Sequence, residues 1–249
     1  MTRLSDSDKI LFYGWMKDTE HVSSQNVGAH PCGRPVGQAQ GLPLPQVIEK
    51  IQGFNVHTAK GDITCEILVN AAGPWSAPLS RMIGIDLPVT PLRRQMLTTT
   101  PLPQVPLDFP FVIDFAQSLY FHREGDGLLS GMSNPNEKAG FDQSVDEAFE
   151  LINLEAASKR MPLLEKAGLA SHWAGLYEVA PDAHPIIGRV GENYFVIAGF
   201  SGHGFMHGPA SGLLLSEEIL DGKAHTLDIS SLSYARFAEG KLIKEYNVI

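Results

Sequence analysis

Between Tyr194 and Pro209 the chain carries four glycines, Gly199, Gly202, Gly204 and Gly208, and two histidines four residues apart, His203 and His207. Glycines at this density let backbone approach a bound group without interference from Cβ. Free N–H groups in such a turn, followed by a helix, make a site for negative charge. The His203/His207 spacing invites a metal, but the pair falls on a glycine turn and no carboxylate pattern accompanies it, so no metal site is expected. His203 reads better as a hydrogen-bonding group beside whatever the turn holds, with general-base chemistry the further option. Elsewhere, Arg93 and Arg94 are adjacent cations suited to a carboxylate. Alternation along a strand sends them to opposite faces, so at most one enters a site, and pairing with acids or exposure to solvent is the competing reading. Tyr120 could cap a small-molecule pocket or simply pack within its strand.

The elements that would position these residues follow from local pattern. Tyr194 to Ile197 is a β-branched and aromatic run that predicts a short buried strand. Pro209 suits the first turn of a helix and Gly222 its end, with Ala210, Leu213, Leu214 and Leu220 as the apolar face and Glu217 and Glu218 as a solvated one. Ile63 to Val69 predicts a second strand, paired with Asn55–Ala59 across a turn at Lys60–Asp62. Asn70-Ala-Ala-Gly73 ends it, and a helix runs from Pro74 to about Ile83. Small residues at the carboxyl end of a strand are where open α/β sheets hold ligands.

Three stretches carry a resemblance: Val69-Asn-Ala-Ala-Gly-Pro-Trp75, Gly175-Leu-Tyr-Glu-Val-Ala-Pro-Asp-Ala-His-Pro-Ile-Ile-Gly188, and Gly199-Phe-Ser-Gly-His-Gly-Phe205. They resemble, in that order, the D-amino-acid oxidase (DAO) superfamily of FAD-dependent oxidoreductases, particularly sarcosine oxidase β-subunit-like and glycine oxidase-like proteins. The ending, Thr226 to Leu232 and Ala235-Arg-Phe237, is similar too, so the likeness runs from about residue 46 to the C-terminus. It implies an α/β (α+β) fold: a partial FAD/NAD(P)-binding Rossmann-like layer with a mixed, largely antiparallel β-sheet substrate domain. It implies FAD contacts at Ala72, Gly73, Trp75, Leu176, Tyr177, Gly199, Phe200, Gly202, His203, Gly204, Phe205 and Met206. It implies a small amine or amino-acid substrate whose α-carbon gives hydride to flavin N5, leaving an imine. Arg93, Tyr120 and His203 are the candidates on the substrate side.

The sequence also departs from the family. Members open with a strand, a G-x-G-x-x-G turn and a helix, and neither Gly28, Gly33 and Gly37 nor Gly125, Gly127 and Gly131 has that spacing. The chain reads as N-terminally truncated relative to the family. The alternative function is then a non-catalytic relative, or a subunit whose partner completes the FAD site. Met206 stands where monomeric sarcosine oxidase-like enzymes often carry Lys. Gly175 stands at their flavin-linking Cys, so a non-covalent cofactor is expected.

The remaining expectations concern organisation. Residues 1–45 read as irregular and unassigned, with an apolar patch from Ile10 to Met16 long enough for one strand or helical turn, and a Pro/Gly-rich loop from His30 to Pro45. Residues 46–86 and 189–249 form the FAD-binding remnant and 87–188 a β-rich layer. In that layer strands are expected at Leu87–Leu97, Phe109–Asp114, Leu119–His122, Leu128–Met132 and Leu169–Val179. A helix is expected at Val145–Ser158, with Ala148, Phe149, Ile152 and Ala156 on one side. A net charge of −9 over 249 residues argues against nucleic acid. No apolar run approaches the ~18 residues of a membrane span. The start lacks a signal core, and Cys32 and Cys65 have no CxxC spacing, so a reducing compartment follows, cytoplasm or an organelle matrix.

Overall fold

A computed structural model describes residues 10–14, 48–52, 55–58 and 61–245. The loop reading of His30 to Pro45 and the thiol of Cys32 lie outside the described residues. The chain divides into two units. One is Leu92–Leu176; the other is built from the segments on either side of it in sequence.

The flanking unit is organised on a four-stranded mixed sheet in the order β1-β5-β12-β11. Its strands are β1 (Ile10–Gly14), β5 (Ile67–Ala71), β11 (Ile186–Gly191) and β12 (Tyr194–Ala198). The apolar patch at Ile10 is therefore a strand, parallel to β5. β5 is also parallel to β12, with Val196 opposite Asn70, and β11 runs antiparallel to β12. Both faces are covered, which is why these strands read as continuous apolar runs rather than alternating ones. Leu68, Tyr194, Val196, Ala198 and Ile186 join one core cluster with Ala77 and Leu79. Val69, Phe195 and Ile187 join another with Leu214 and Leu215. A separate sheet holds β2 (Ile48–Gln52), β3 (Asn55–Thr58) and β4 (Gly61–Thr64). The expected single strand from Ile63 to Val69 is thus divided between two sheets.

Beyond β5 a 3-10 turn, Gly73–Trp75, leads into α1 (Ser76–Arg81). Asn70, fully buried, fastens this connection. Its Nδ2 lies 2.9 Å from Ser76 O, 3.0 Å from Ser80 Oγ and 2.9 Å from Tyr194 Oη, while its Oδ1 accepts the Ala72 N–H at 3.1 Å. Beyond β12 comes α3 (Gly204–Asp221), ended by Gly222 at φ 78°. The helix starts five residues earlier than Pro209 suggests, and Pro209 lies inside it. Its buried face is Ser211, Leu214 and Leu215, while Leu213 and Leu220 are exposed. Glu217 and Glu218 are not idle either. Glu217 accepts the Thr226 hydroxyl and the Thr226 and His225 N–H groups, which hold its carboxyl down at about 2. Glu218 accepts the Arg189 N–H at 2.9 Å.

The Leu92–Leu176 unit carries an antiparallel sheet in the order β10-β6-β9-β8-β7. Its strands are β6 (Thr90–Thr99), β7 (Val112–Asp114), β8 (Leu119–Glu124), β9 (Gly127–Met132) and β10 (Leu169–Val179). Gly125 and Asp126 make the β8–β9 turn, with Gly125 at φ 57°. Helix α2 (Glu147–Arg160) is capped by the Asp146 carboxylate, which accepts the Ala148 and Phe149 N–H groups. It buries Phe149, Asn153, Ala156 and Ala157, leaving Ile152 exposed.

An ion pair fixes the loop between β10 and β11. Arg236, in the short helix α4 (Ala235–Ala238), meets Asp182 through Nε–Oδ2 at 2.7 Å and Nη2–Oδ1 at 3.0 Å, both side chains being almost wholly buried. Arg236 also donates to the carbonyls of His184, Leu232 and Ser233. Burial alone would raise the Asp182 carboxyl, but the Arg236 hydrogen bonds and charge, with the Ile243 and His184 N–H groups, outweigh it and hold it below the usual range.

Replacing Arg236 by Met leaves Asp182 buried without its cation and should cost about 3–5 kcal/mol in urea unfolding. Because Asp182 is depressed in the folded protein, its contribution is present above its unfolded value and disappears as pH falls through the folded one. The wild type should therefore lose stability towards acid more steeply than Asp182→Asn does. Asn70→Ala leaves the Ser76 carbonyl and the Ala72 N–H without their side-chain partner, while Tyr194 and Ser80 keep their mutual bond, and should cost about 1–3 kcal/mol in the same measurement.

Candidate functional site

Because β5 and β12 are parallel neighbours, their carboxyl ends fall on the same edge of the sheet. This brings Ala72–Trp75 and the Gly199–Gly204 corner together at that edge. The corner is tightly wound. Gly199, Ser201 and Gly202 all have positive φ, at 86°, 52° and 100°. Ser201, buried, is the one non-glycine among them, a strained conformation that surrounding bonds must hold. The end of β10 supplies them. Ser201 N–H donates to Glu178 O at 2.9 Å, Ala180 N–H donates to Ser201 Oγ at 3.1 Å, and Val179 bridges Phe200. Ser201 Oγ in turn donates to Gly199 O at 3.3 Å.

The glycines divide into two kinds. A Cβ at Gly202 would sit 2.6 Å from the Tyr177 ring, and one at Gly73 would sit 2.6 Å from the Glu178 carboxylate. These two admit the protein's own side chains. By contrast, a Cβ at Gly204 would make ordinary contact with Phe200, and one at Gly208 would meet nothing within 4 Å. This second pair lies at the start of α3, which is open. His203 at the N-cap makes no side-chain cap, and the first turn holds no acidic residue. The first intrahelical bond is His207 N–H to His203 O at 3.2 Å. The N–H groups of Gly204, Phe205 and Met206 therefore have no partner within the helix. Phe205 is fully exposed and Met206 largely so.

The structure thus gathers Ala72, Gly73, Trp75, Tyr177, Gly199, Phe200, Gly202, His203, Gly204, Phe205 and Met206 in one unit. His203 and His207 stack with ring centroids 5.9 Å apart. Leu176, half-buried, closes the other unit's segment, which also holds Arg93 and Tyr120. Arg93 shows the ion-pair reading left open by its sequence. Its Nε donates to Glu137 at 3.2 Å, and its Nη1 donates to Asp142 at 3.1 Å and Ser144 O at 2.9 Å. The Tyr120 ring stacks on Phe111 at 5.5 Å and lies across Gly131, where a Cβ would come within 2.4 Å of it.

Two residues escaped sequence reasoning. Ser201 sits inside the quoted glycine turn, but nothing in its type announces a positive φ. Glu178 also sits inside a quoted stretch. Its Oε1 accepts the Phe200 N–H at 3.4 Å. Burial pushes its carboxyl up, and the Phe200 and Gly199 N–H groups only partly oppose that.

A flavin needs donors where negative charge collects around N1 and O2, together with a water-poor wall. The uncapped start of α3, with an apolar pair beside it and a helix dipole behind it, has that donor set. The fit is one of chemistry.

Comparison with known proteins points the same way. The family model described as FAD dependent oxidoreductase (DAO) matches residues 45–218. The chain is 32% identical over 214 residues to FAD-dependent oxidoreductase domain-containing protein 1 of Xenopus laevis, covering 75% of this chain and 41% of that protein. Mitochondrial dimethylglycine dehydrogenase of Mus musculus is 32% identical over 191 residues, covering 68% of this chain and 22% of its own. Among solved structures, L-proline dehydrogenase from P. horikoshii superposes with a TM-score of 0.71 at 32% identity, covering 80% of this chain and 54% of that one. Glycine oxidase from Geobacillus kaustophilus gives 0.65 at 26%, covering 73% and 48%. The chain spans less than half the length of these two curated relatives. Among the described residues no helix is long and apolar enough to cross a membrane. With a match over residues 45–218 and neighbours that share its fold, the chain belongs to the DAO family of FAD-dependent oxidoreductases.

Proposed function

We propose that this chain carries the flavin-facing and substrate-side parts of an FAD-dependent oxidoreductase acting on an amino acid or secondary amine. The observation that carries the reading is the uncapped first turn of α3 at the end of the strained Gly199–Gly202 corner. A bound flavin would supply the hydride acceptor at N5, and an imine would be the product. The N–H groups of Gly204, Phe205 and Met206 would hold such a group by its negative charge. Phe205 and Met206, exposed here, would offer it apolar surface. Ala72, Gly73 and Trp75 form the neighbouring wall, with Tyr177 seated on Gly202 behind the corner and Leu176 next to it in sequence. His203 offers a hydrogen bond at the mouth of the helix. No protein nucleophile or metal is required, since positioning and desolvation carry such a reaction. Among the described residues no group of three metal-ligating side chains is present.

On the substrate side, Tyr120 and Phe111 provide an aromatic surface. Arg93 is already held by Glu137 and Asp142, so any carboxylate it receives shares a neutralised cation. In a second reading the adenine-nucleotide half comes from another polypeptide, which draws on the lack of G-x-G-x-x-G spacing in this sequence. The two readings separate by whether the purified chain takes up FAD alone or only with that partner.

Titration with FAD, followed by flavin absorbance after gel filtration, tests the proposal. A chain that stays colourless alone and with every candidate partner sinks it. Gly204→Leu should fold with unchanged helix content yet retain no flavin, because its side chain has room but stands before the open N–H groups. Gly202→Ala should instead lose about 1–3 kcal/mol of folding stability through its positive φ and the Tyr177 clash. Equal flavin content in Gly204→Leu and wild type would remove the helix start from the site.

A further inference from the structure

Glu178 is a half-buried carboxylate that no cationic side chain partners among the described residues. Four residues on, Asp182 has a bidentate arginine. A buried acid without a counter-ion costs stability, so its position calls for a reason. Its surroundings supply one. One carboxylate oxygen accepts the Phe200 N–H, and the other occupies the space where a Cβ at Gly73 would stand. Its main-chain oxygen accepts the Ser201 N–H. One residue therefore touches both loops that leave the carboxyl ends of β5 and β12. The titratable and charged groups on the elements around it are His172 and Tyr177 on β10, Arg93 and Arg94 on its sheet neighbour β6, and His203 and His207 at the start of α3. Asp182 is spent on Arg236, and the Gly73–Trp75 turn contributes none.

We propose that Glu178 is a positioning residue, joining the Gly73 turn to the Gly199–Phe200 turn so that the start of α3 is held ready for an anionic face of the cofactor. This rests on the flavin reading for what the corner holds, but not for the join itself. A carboxylic acid or an amide makes the join without burying charge, whereas a carboxylate makes it at a desolvation cost and repels an anion docking nearby. The corner should thus be tightest with Glu178 protonated. Because burial raises Glu178 above its ordinary value of 4.5 in the folded protein, its contribution is complete below that value. It is lost as pH rises through the folded pKa.

The test compares full-length wild type, Glu178→Gln and Glu178→Ala. Without flavin, unfolding midpoints measured from acid to neutral pH should fall with rising pH in wild type relative to Glu178→Gln. Glu178→Ala should lose amide-exchange protection at Phe200 ahead of the β5 and β12 amides. Parallel pH profiles for wild type and Glu178→Gln, or unchanged Phe200 protection in Glu178→Ala, would overturn the assignment. With FAD added, fluorescence titration should show wild-type affinity weakening as pH rises, Glu178→Gln flat, and Glu178→Ala weaker by about tenfold or more, near the worth of one stranded buried donor. If no variant binds FAD while the flavin-free results hold, the join stands and the flavin reading fails.

Discussion

The bidentate bond between Arg236 and Asp182 is the constraint on which the rest of its unit depends. Arg236 is the largest fully buried side chain described, and its guanidinium also binds three carbonyls. Asp182 sits in the loop that turns β10 into β11, and β11 is the antiparallel neighbour of β12. A shift of that loop moves Ala180 and Val179, and these are the residues that hold Ser201 and Phe200. The C-terminal segment is thus linked to that turn through Asp182 and the end of β10. A pair of charges this deep is a poor source of net stability compared with apolar packing, but it is specific, because one arginine satisfies the loop in a single arrangement.

From that fixed loop the corner gains its division of labour. Gly202 and Gly73 are small so that Tyr177 and Glu178 can fit, which makes the turn rigid from within. Gly204 and Gly208 are small where the first turn of α3 faces outward. A turn built only for a ligand would not need the first pair, and one built only for packing would not leave the second open. Gly202 of the first kind and Gly204 and Gly208 of the second fall within one ten-residue stretch, which is why its glycine density is so high.

How much of this was legible varies with the range of the forces involved. β10 follows its expected bounds, Leu169–Val179, because its pattern is local. β12 was legible for the same reason, whereas the helix expected from Pro74 is a 3-10 turn there and becomes α1 only at Ser76. The start of α3 was not legible. Pro209 has the φ of a helix start, yet the helix begins at Gly204, directly after a turn whose Phe200 and Ser201 are braced by β10, a partner distant in sequence. The apolar face moved with the phase: Ser211 is inside and Leu213 outside, since the neighbouring sheet selects which stripe is covered. Arg93 illustrates the same limit. Its partners lie 44 and 49 residues away, and no spacing rule connects them. Of the site, sequence supplied the corner and the Ala72–Trp75 wall by motif, but it was silent on Ser201, whose strained φ is imposed by its hydrogen bonds.

Glu178 and Asp182 stand at opposite ends of a short segment, the first half-buried and the second buried. One is depressed by an arginine and the other raised by desolvation. The fold evidently can bring a cation to this region, since it brings one to Asp182. Leaving Glu178 with backbone donors alone means that the space beside it is not filled by a positive side chain. An ionised carboxylate near the start of α3 would oppose the field that the helix presents to an anion. A purely structural carboxyl would gain from the arginine. Burial raises the Glu178 carboxyl and so favours its neutral form over the charged one near that helix end.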